Sequence, residues 1–196
     1  LAHRLGLYTI KSELEDLALK YTDRPTFNEI ARKLNETKAA RDKYIYEFIK
    51  PVKAKLEAAG LKFEIKGRTK SISSILNKIR KQKAELEDIY DLFAIRVVLD
   101  TPEDQEKADC WKVYSIVTDM YQPNPKRLKD WLSIPKSNGY ESLHITVWGP
   151  ENRWVEVQIR SKRMDEIAER GLAAHLKYKG IKSESGLDDW LNNVRD

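Results

Sequence analysis

RWVEVQIR, residues 153–160, decides the fold because its polar and apolar side chains alternate. Successive side chains of a β-strand point to opposite faces, so this stretch predicts a strand with one apolar and one polar face. The apolar face carries Val155, Val157 and Ile159, and the polar face carries Trp154, Glu156, Gln158 and Arg160. If the apolar face packs against helices, the polar face looks into a groove. The alternative is a strand face exposed to solvent.

The neighbouring segments build a sheet around this strand. Residues 142–148 alternate in the same way and are joined to 153–160 by Gly149-Pro150-Glu151-Asn152, which predicts a β-hairpin. Residues 92–99 are apolar and β-branched, as in a central strand, and residues 61–66 alternate as in a half-buried strand. Helices are predicted at 11–20, at 27–59 with a kink or break at Pro51, and at 70–82, 102–121 and 162–178. This order predicts a mixed α/β sheet flanked by helices, with the hairpin at one side.

Length and composition narrow the classes of protein. The 196 residues suffice for one catalytic domain. Lys and Arg total 36 against 31 Asp and Glu, which suits a phosphate-bearing ligand without requiring nucleic acid. The single Cys110 excludes an internal disulfide, and neither a secretory leader nor a membrane-spanning apolar run is found. We therefore expect a cytoplasmic protein without a membrane partner.

Two carboxylates are candidates for a magnesium site. Asp91 lies at the entry to the predicted strand 92–99, and Glu156 lies on the polar face of 153–160. Magnesium takes only one or two protein carboxylates and fills its other positions with waters and substrate phosphates. Taken alone, Asp91 has the alternative role of beginning a strand. For His144, a role in the site and a structural hydrogen bond stay equally open.

Basic residues gather in two places that suit phosphate. Gly67-Arg68-Thr69-Lys70 lies between a predicted strand and a helix start, where backbone donors and the positive end of a helix dipole favour an anion. Ser74 and Lys78 follow on the same helix face. The irregular stretch 122–139 precedes Tyr140 and contains Lys126, Arg127, Lys129 and Lys136. Cations beside an aromatic ring are typical of a nucleotide clamp, and a solvated basic loop is the alternative.

In order, these segments resemble the synthetase domain of the RelA/SpoT family of alarmone synthetases, which act in the stringent response. The matching pieces lie between about residues 40 and 180. They are Gly67 to Lys78, Tyr90-Asp91-Leu92-Phe93-Ala94-Ile95-Arg96, Arg127-Leu128-Lys129-Asp130, residues 134–144 (IPKSNGYESLH), Val155 to Arg160, and Gly171-Leu172-Ala173-Ala174-His175. A chance match of six ordered motifs is very improbable, so the local alternatives no longer stand separately.

The resemblance implies a nucleotidyltransferase-like fold and a pyrophosphokinase activity. The reaction would transfer the β,γ-diphosphate of ATP to the ribose 3′-hydroxyl of GDP or GTP, giving ppGpp or pppGpp and AMP. Asp91 and Glu156 would hold Mg²⁺, with Glu156 as a base, and Arg68 and Arg96 would flank adenine. The residues implied to contact the ATP phosphates are Lys70, Ser74, Lys78, Lys129 and Lys136. On the GDP or GTP side, Tyr140 would stack on guanine, and the other implied residues are Asn138, His144, Gln158 and Arg160.

The resemblance also implies how the chain is organised. Residues 1–24 resemble the end of an upstream hydrolase-type helical domain, 25–183 the synthetase domain, and 184–196 a helix leading to regulatory regions. The basic form of residues 127–130 resembles bifunctional members, so the natural protein is expected to degrade (p)ppGpp as well. Contact with the ribosome or tRNA would occur only through regions absent from this chain. Leu176 departs from the family, which typically has Trp at that position.

Two other functions are alternatives to this activity. An RNA nucleotidyltransferase on the same scaffold usually pairs Gly-Ser with Asp-x-Asp, and neither is found in the expected place. A non-catalytic module that binds guanine nucleotides or RNA has no need of a carboxylate pair. The presence of both Asp91 and Glu156 therefore favours an enzyme.

Overall fold

The computed structural model describes residues 2–68, 70–83 and 93–171, with the side chain of Gln82 left aside. The helices are α1 (Tyr8–Thr22), α2 (Arg24–Glu36), α3 (Lys38–Ala58), α4 (Ile72–Gln82), α5 (Glu106–Met120) and α6 (Lys162–Arg170). The strands are β1 (Phe63–Gly67), β2 (Phe93–Leu99), β3 (Lys129–Asp130), β4 (Leu143–Gly149) and β5 (Arg153–Ser161). Short 3₁₀ turns occupy Glu103–Gln105, Pro125–Arg127 and Pro150–Asn152. Within the described ranges, no helix has the length and apolar character needed to cross a membrane.

The strands form one mixed sheet in the order β1-β2-β5-β4-β3. β5 runs parallel to β2 and antiparallel to β4, so that Ala94 and Thr146 are the two neighbours of Glu156. The predicted mixed sheet flanked by helices and the predicted hairpin are both confirmed. The expected position of the hairpin at one side is wrong for β5, which is the third of the five strands and lies between β2 and β4.

The core lies on the apolar face of β5. Val155, Val157 and Ile159 have no exposed surface, and they belong to one cluster with side chains of α3 and α5. Burying each such side chain stabilises the fold by about 1.5–3 kcal/mol. The packing fixes which face of β5 is covered, so the opposite polar face must line whatever space remains on the other side of the sheet.

The helical region 27–59 differs from its prediction as one element. The structure has two helices, α2 and α3, that meet at Thr37, and Pro51 lies inside α3 without ending it. Proline removes one helical hydrogen bond, which by itself disfavours a helix interior. Phe48, Val52 and Leu56 on the same helix are completely buried, and this packing offsets the lost hydrogen bond.

The irregular stretch 122–139 contains a strand that its sequence pattern did not reveal. β3 pairs with β4, with Lys129 opposite His144, and adds a fifth strand to the sheet. The Asp130 carboxylate then accepts hydrogen bonds from the backbone N–H groups of Leu132 and Ser133, at 3.0 and 2.9 Å. Gly139 has φ of 79°, a left-handed conformation that glycine adopts without strain. These contacts hold the basic stretch against the sheet.

Candidate active site

The polar face of β5 forms the floor of a pocket of about 670 Å³. Glu156, Gln158 and Arg160 all line it, so the predicted groove is confirmed and the solvent-exposed strand face is wrong. The pocket also brings together other residues that the sequence singled out. They are Arg68, Lys70, Ser74, Lys78, Arg96, Lys129, Lys136, Tyr140 and His144. Their proposed contacts with nucleotides stay predictions.

Glu156 is the centre of charge in this pocket. Its carboxylate lies 3.3 Å from the guanidinium of Arg68 and 3.3 Å from the ammonium of Lys70, and it accepts a hydrogen bond of 3.0 Å from Gln158 Nε2. Burial by itself raises the pKa of Glu156, but the charge of Lys70, with Arg68 and the Gln158 hydrogen bond, lowers it to about 2. The carboxylate is therefore ionised at neutral pH.

One end of the pocket is suited to anions. Ser71 caps the N-terminus of α4 by accepting from the Ser74 N–H at 3.3 Å, and Lys78 lies one turn further along the helix. Burial and the adjacent Lys70 lower the pKa of Lys78 to about 7. A polyanion bound here would offset the Lys70 charge and favour the protonated form of Lys78.

The other end of the pocket is aromatic. The Tyr140 hydroxyl and His144 Nε2 are 2.8 Å apart, and the Lys136 ammonium lies 4.9 Å from the centroid of the Tyr140 ring and 4.9 Å from that of Trp131. Burial lowers the pKa of His144 to about 3, so its ring is neutral at physiological pH. A ring system bound against Tyr140 would meet an aromatic face with a cation beside it.

Arg96 on β2 is held from three sides. Its Nη1 donates to Glu169 at 2.8 Å and to Asp165 at 3.2 Å, both on α6, and its Nε donates to Gln158 Oε1 at 3.3 Å. Sequence reasoning did not include the two carboxylates. Their spacing of four residues puts both on one face of α6, a signal that indicates a shared cationic partner only once the strand beneath the helix is known.

α1 contributes pocket residues that sequence reasoning missed. The Asp16 carboxylate accepts from the N–H groups of Ile72 and Ser73 at the start of α4, at 3.2 and 2.8 Å. The Tyr8 hydroxyl accepts from Asn138 Nδ2 at 2.9 Å, and its ring contacts Tyr140 edge-on. Asn138, predicted to lie beside guanine, is buried beneath Tyr8 and does not line the pocket. No periodicity in the helix distinguishes Tyr8 or Asp16 from its other polar residues.

The N-terminal segment also approaches the end of α6 closely. Gly171 has φ of 67°, and a Cβ there would lie 2.6 Å from the carbonyl oxygen of Leu5. Only glycine permits this approach. Residues 2–22 therefore pack against the part of the chain that contains the sheet. The domain boundary expected at residue 24, between a hydrolase-type tail and the synthetase domain, stays a prediction.

Several sequence predictions fall outside the described residues. Asp91 is the most important of them, and Thr69, Leu176, His175 and the predicted helix at 184–196 are the others. Among the residues that the structure does describe, no group of three or more His, Cys, Asp or Glu is placed to hold a metal ion. A magnesium site that uses only Asp91 and Glu156 does not require such a group.

The pocket of cations around one carboxylate, with an aromatic end, can be compared with known proteins. The family model described as the region found in RelA / SpoT proteins matches residues 67–183, which begin at the last residue of β1 and include β2 to β5 and α4 to α6. The chain belongs to the RelA/SpoT family. This membership confirms the resemblance inferred from the six motifs.

Relatives within the family are much longer than this chain. A GTP pyrophosphokinase from Myxococcus xanthus is 41% identical over 200 residues, which cover 100% of this chain and 26% of that protein. A guanosine-3′,5′-bis(diphosphate) 3′-pyrophosphohydrolase from Aquifex aeolicus is 38% identical over 198 residues, 99% of this chain and 28% of that protein. The chain thus spans about a quarter of the length of these relatives.

Solved structures have the same fold. Small alarmone synthetase 2 from Bacillus subtilis has a TM-score of 0.54 at 24% identity, covering 84% of this chain and 90% of that chain. Small alarmone synthetase 1 from the same organism, bound to its product pppGpp, has a TM-score of 0.51 at 21% identity, covering 86% of this chain and 97% of that chain. At these identities the likeness establishes the alarmone synthetase fold and no more.

Proposed function

We propose that this chain transfers the β,γ-diphosphate of ATP to the ribose 3′-hydroxyl of GDP or GTP, releasing AMP. The observation that carries the proposal is the position of Glu156, whose carboxylate lies between a cationic end of the pocket and an aromatic end. Its relatives named GTP pyrophosphokinase support the same reaction. Phosphoryl transfer depends mainly on charge neutralisation and on an oriented nucleophile, and this arrangement offers both.

The cationic end would take ATP. Lys70, Ser74 and Lys78 at this end would neutralise its phosphates, together with Lys129 and with Lys136, which reaches in from the aromatic end. Each charge-assisted hydrogen bond to a phosphate contributes roughly 1.5–3 kcal/mol. Arg68 and Arg96 are the proposed partners of adenine, which requires Arg96 to keep its guanidinium plane while Glu169 holds one edge of it.

Glu156 would act on the acceptor hydroxyl only after ATP is bound. In the described structure Lys70 and Arg68 keep its pKa at about 2, which makes it a weak base. Bound ATP would draw Lys70 to its phosphates and Arg68 to its adenine, which would remove charges that lower the pKa of Glu156, and burial would then raise it. The proposed order of events is therefore ATP first, followed by proton removal from the 3′-hydroxyl.

We also propose that Glu156 and Asp91 hold Mg²⁺. An ionised, half-buried carboxylate in a pocket for phosphates fits a hard cation that prefers oxygen ligands. Bound there, the ion would neutralise charge on the transferred group. Asp91 is separated from Phe93 by one residue, and Phe93 pairs with Val155, so its chain position is compatible with this role.

Product analysis tests the proposal. The chain is incubated with ATP, GDP or GTP and Mg²⁺, and nucleotides are separated by chromatography and identified by mass. A 3′-diphosphorylated guanosine nucleotide and an equal amount of AMP are expected. Glu156→Gln should abolish turnover while ATP binding persists, whereas Glu151→Gln, an exposed glutamate on the same hairpin, should behave as wild type. An active Glu156→Gln enzyme would contradict the role of that carboxylate.

A further inference from the structure

Arg160 is the least exposed charged residue on the floor of the pocket. Its side chain lies on the same face of β5 as Glu156 and Gln158, yet only 1% of its surface is exposed. Its Nη2 donates to the Tyr140 hydroxyl at 2.8 Å and to Gln158 Oε1 at 2.9 Å, and its Nη1 lies 3.4 Å from Asp165. A guanidinium so enclosed is engaged by protein groups and offers little surface to a ligand.

The direction of each hydrogen bond follows from Arg160. Because a guanidinium has no acceptor, the Tyr140 hydroxyl oxygen must accept from it. The hydroxyl hydrogen points away from Arg160, and His144 Nε2, 2.8 Å from the oxygen, is placed to accept it. In this arrangement the proton of the ring, which is neutral because burial lowers its pKa to about 3, is on Nδ1.

The same guanidinium orients the amide of Gln158. Both Arg160 and Arg96 donate to its Oε1, so the oxygen is fixed toward the arginines. The Nε2 group must then point the other way, where it donates to Glu156 at 3.0 Å. A flipped amide would lose three hydrogen bonds, since its NH₂ would face two donors and its oxygen would face a carboxylate.

We propose that Arg160 is a positioning residue that sets both the aromatic end of the pocket and the catalytic carboxylate, through Tyr140 and Gln158, without itself contacting substrate. The proposal rests on the proposed function, since it assigns the aromatic end to the guanine nucleotide. It differs from the contact role implied by family resemblance. The planar guanidinium matters because it fixes three partners at once: Nη2 donates to the Tyr140 hydroxyl and to Gln158, while Nη1 lies against Asp165.

The test uses Arg160→Lys, which keeps the charge and removes the fork, beside Arg153→Lys. Arg153 lies at the other end of the same strand and is exposed. We expect Arg160→Lys to raise KM for GDP and lower kcat, together by roughly tenfold to a hundredfold in kcat/KM. ATP affinity, measured by calorimetry, should fall less than GDP affinity, because lysine keeps the positive charge and Arg96, which shares Gln158 and Asp165 with Arg160, retains its bond to Glu169. Arg153→Lys should be unchanged in both.

A second measurement separates positioning from a general loss of folding. Nitrogen-15 NMR should show the Nδ1-protonated tautomer of His144 in wild type and a mixture of tautomers in Arg160→Lys, because the Tyr140 hydroxyl is then free to rotate. Wild-type kcat/KM for GDP in Arg160→Lys would overturn the proposal, and so would an equal loss of ATP affinity. If wild type binds GDP but forms no product, only the proposed reaction is refuted. The positioning role of Arg160 is then tested by comparing the GDP affinity of Arg160→Lys with that of wild type. If wild type neither forms product nor binds GDP, both proposals fail.

Discussion

ATP binding is expected to take up a proton at Lys78. The pKa of Lys78 is lowered to about 7 by burial and by the adjacent Lys70 charge, against an ordinary value of 10.5. The phosphates of ATP would oppose both effects and return the pKa toward its ordinary value. Between pH 7 and 10.5 the complex therefore holds a proton that the free protein lacks, and affinity must fall as the pH rises through this window.

The size of the effect follows from the two protonation states. With a pKa of about 7, the protonated fraction of Lys78 in the free protein falls from about one half at pH 7 to about one hundredth at pH 9. The apparent Kd for ATP should then rise by at most about 50-fold over these two pH units. At pH 8 binding should take up about 0.9 proton.

Calorimetry in two buffers of different ionisation enthalpy measures this uptake directly. The titration is made at pH 8 with constant Mg²⁺ and no guanine nucleotide, so that no reaction follows. Lys78→Met should bind ATP more weakly and take up no proton, while Lys66→Met, a lysine exposed on β1, should keep the wild-type value. Equal heats in both buffers for the wild-type chain would refute the reasoning, and so would uptake that persists in Lys78→Met.

Two further predictions concern stability. Burial lowers the pKa of His144 from 6.5 to about 3, so below pH 6.5 the unfolded chain binds a proton that the folded chain does not bind. Between pH 7 and pH 5 the free energy of unfolding, measured in urea, should therefore fall by about 2 kcal/mol more for wild type than for His144→Gln. Equal decreases for the two proteins would contradict this prediction. Asp16→Asn removes a carboxylate that accepts hydrogen bonds from two N–H groups of α4, and it should lower the free energy of unfolding by about 1–2 kcal/mol. The control is Asp42→Asn, which removes an exposed ion pair and should lower it by less than about 0.5 kcal/mol. Equal costs for these two variants would show that the cap contributes nothing.

The sequence by itself determined the chemistry of the floor of the pocket and most of the elements, apart from β3 and the break between α2 and α3. The alternation in 153–160 placed Glu156 on a polar strand face, and this face does line the pocket. The glycine-containing turn before α4 predicted an anion site, and Lys70 and Lys78 beside it do line the pocket. These features are local: strand alternation and helix starts depend on side chains a few residues apart, and such spacing can be counted along the chain.

Only the tertiary structure decided how distant segments meet. The central place of β5 depends on its parallel pairing with β2, about 60 residues earlier in the chain. The capping of α4 by Asp16 and the direction of the hydrogen bonds around Arg160 depend on packing in the same way. A carboxylate or a guanidinium has no preferred distant partner until the core is packed. Its role is then set by which donors and acceptors the fold places within about 3 Å.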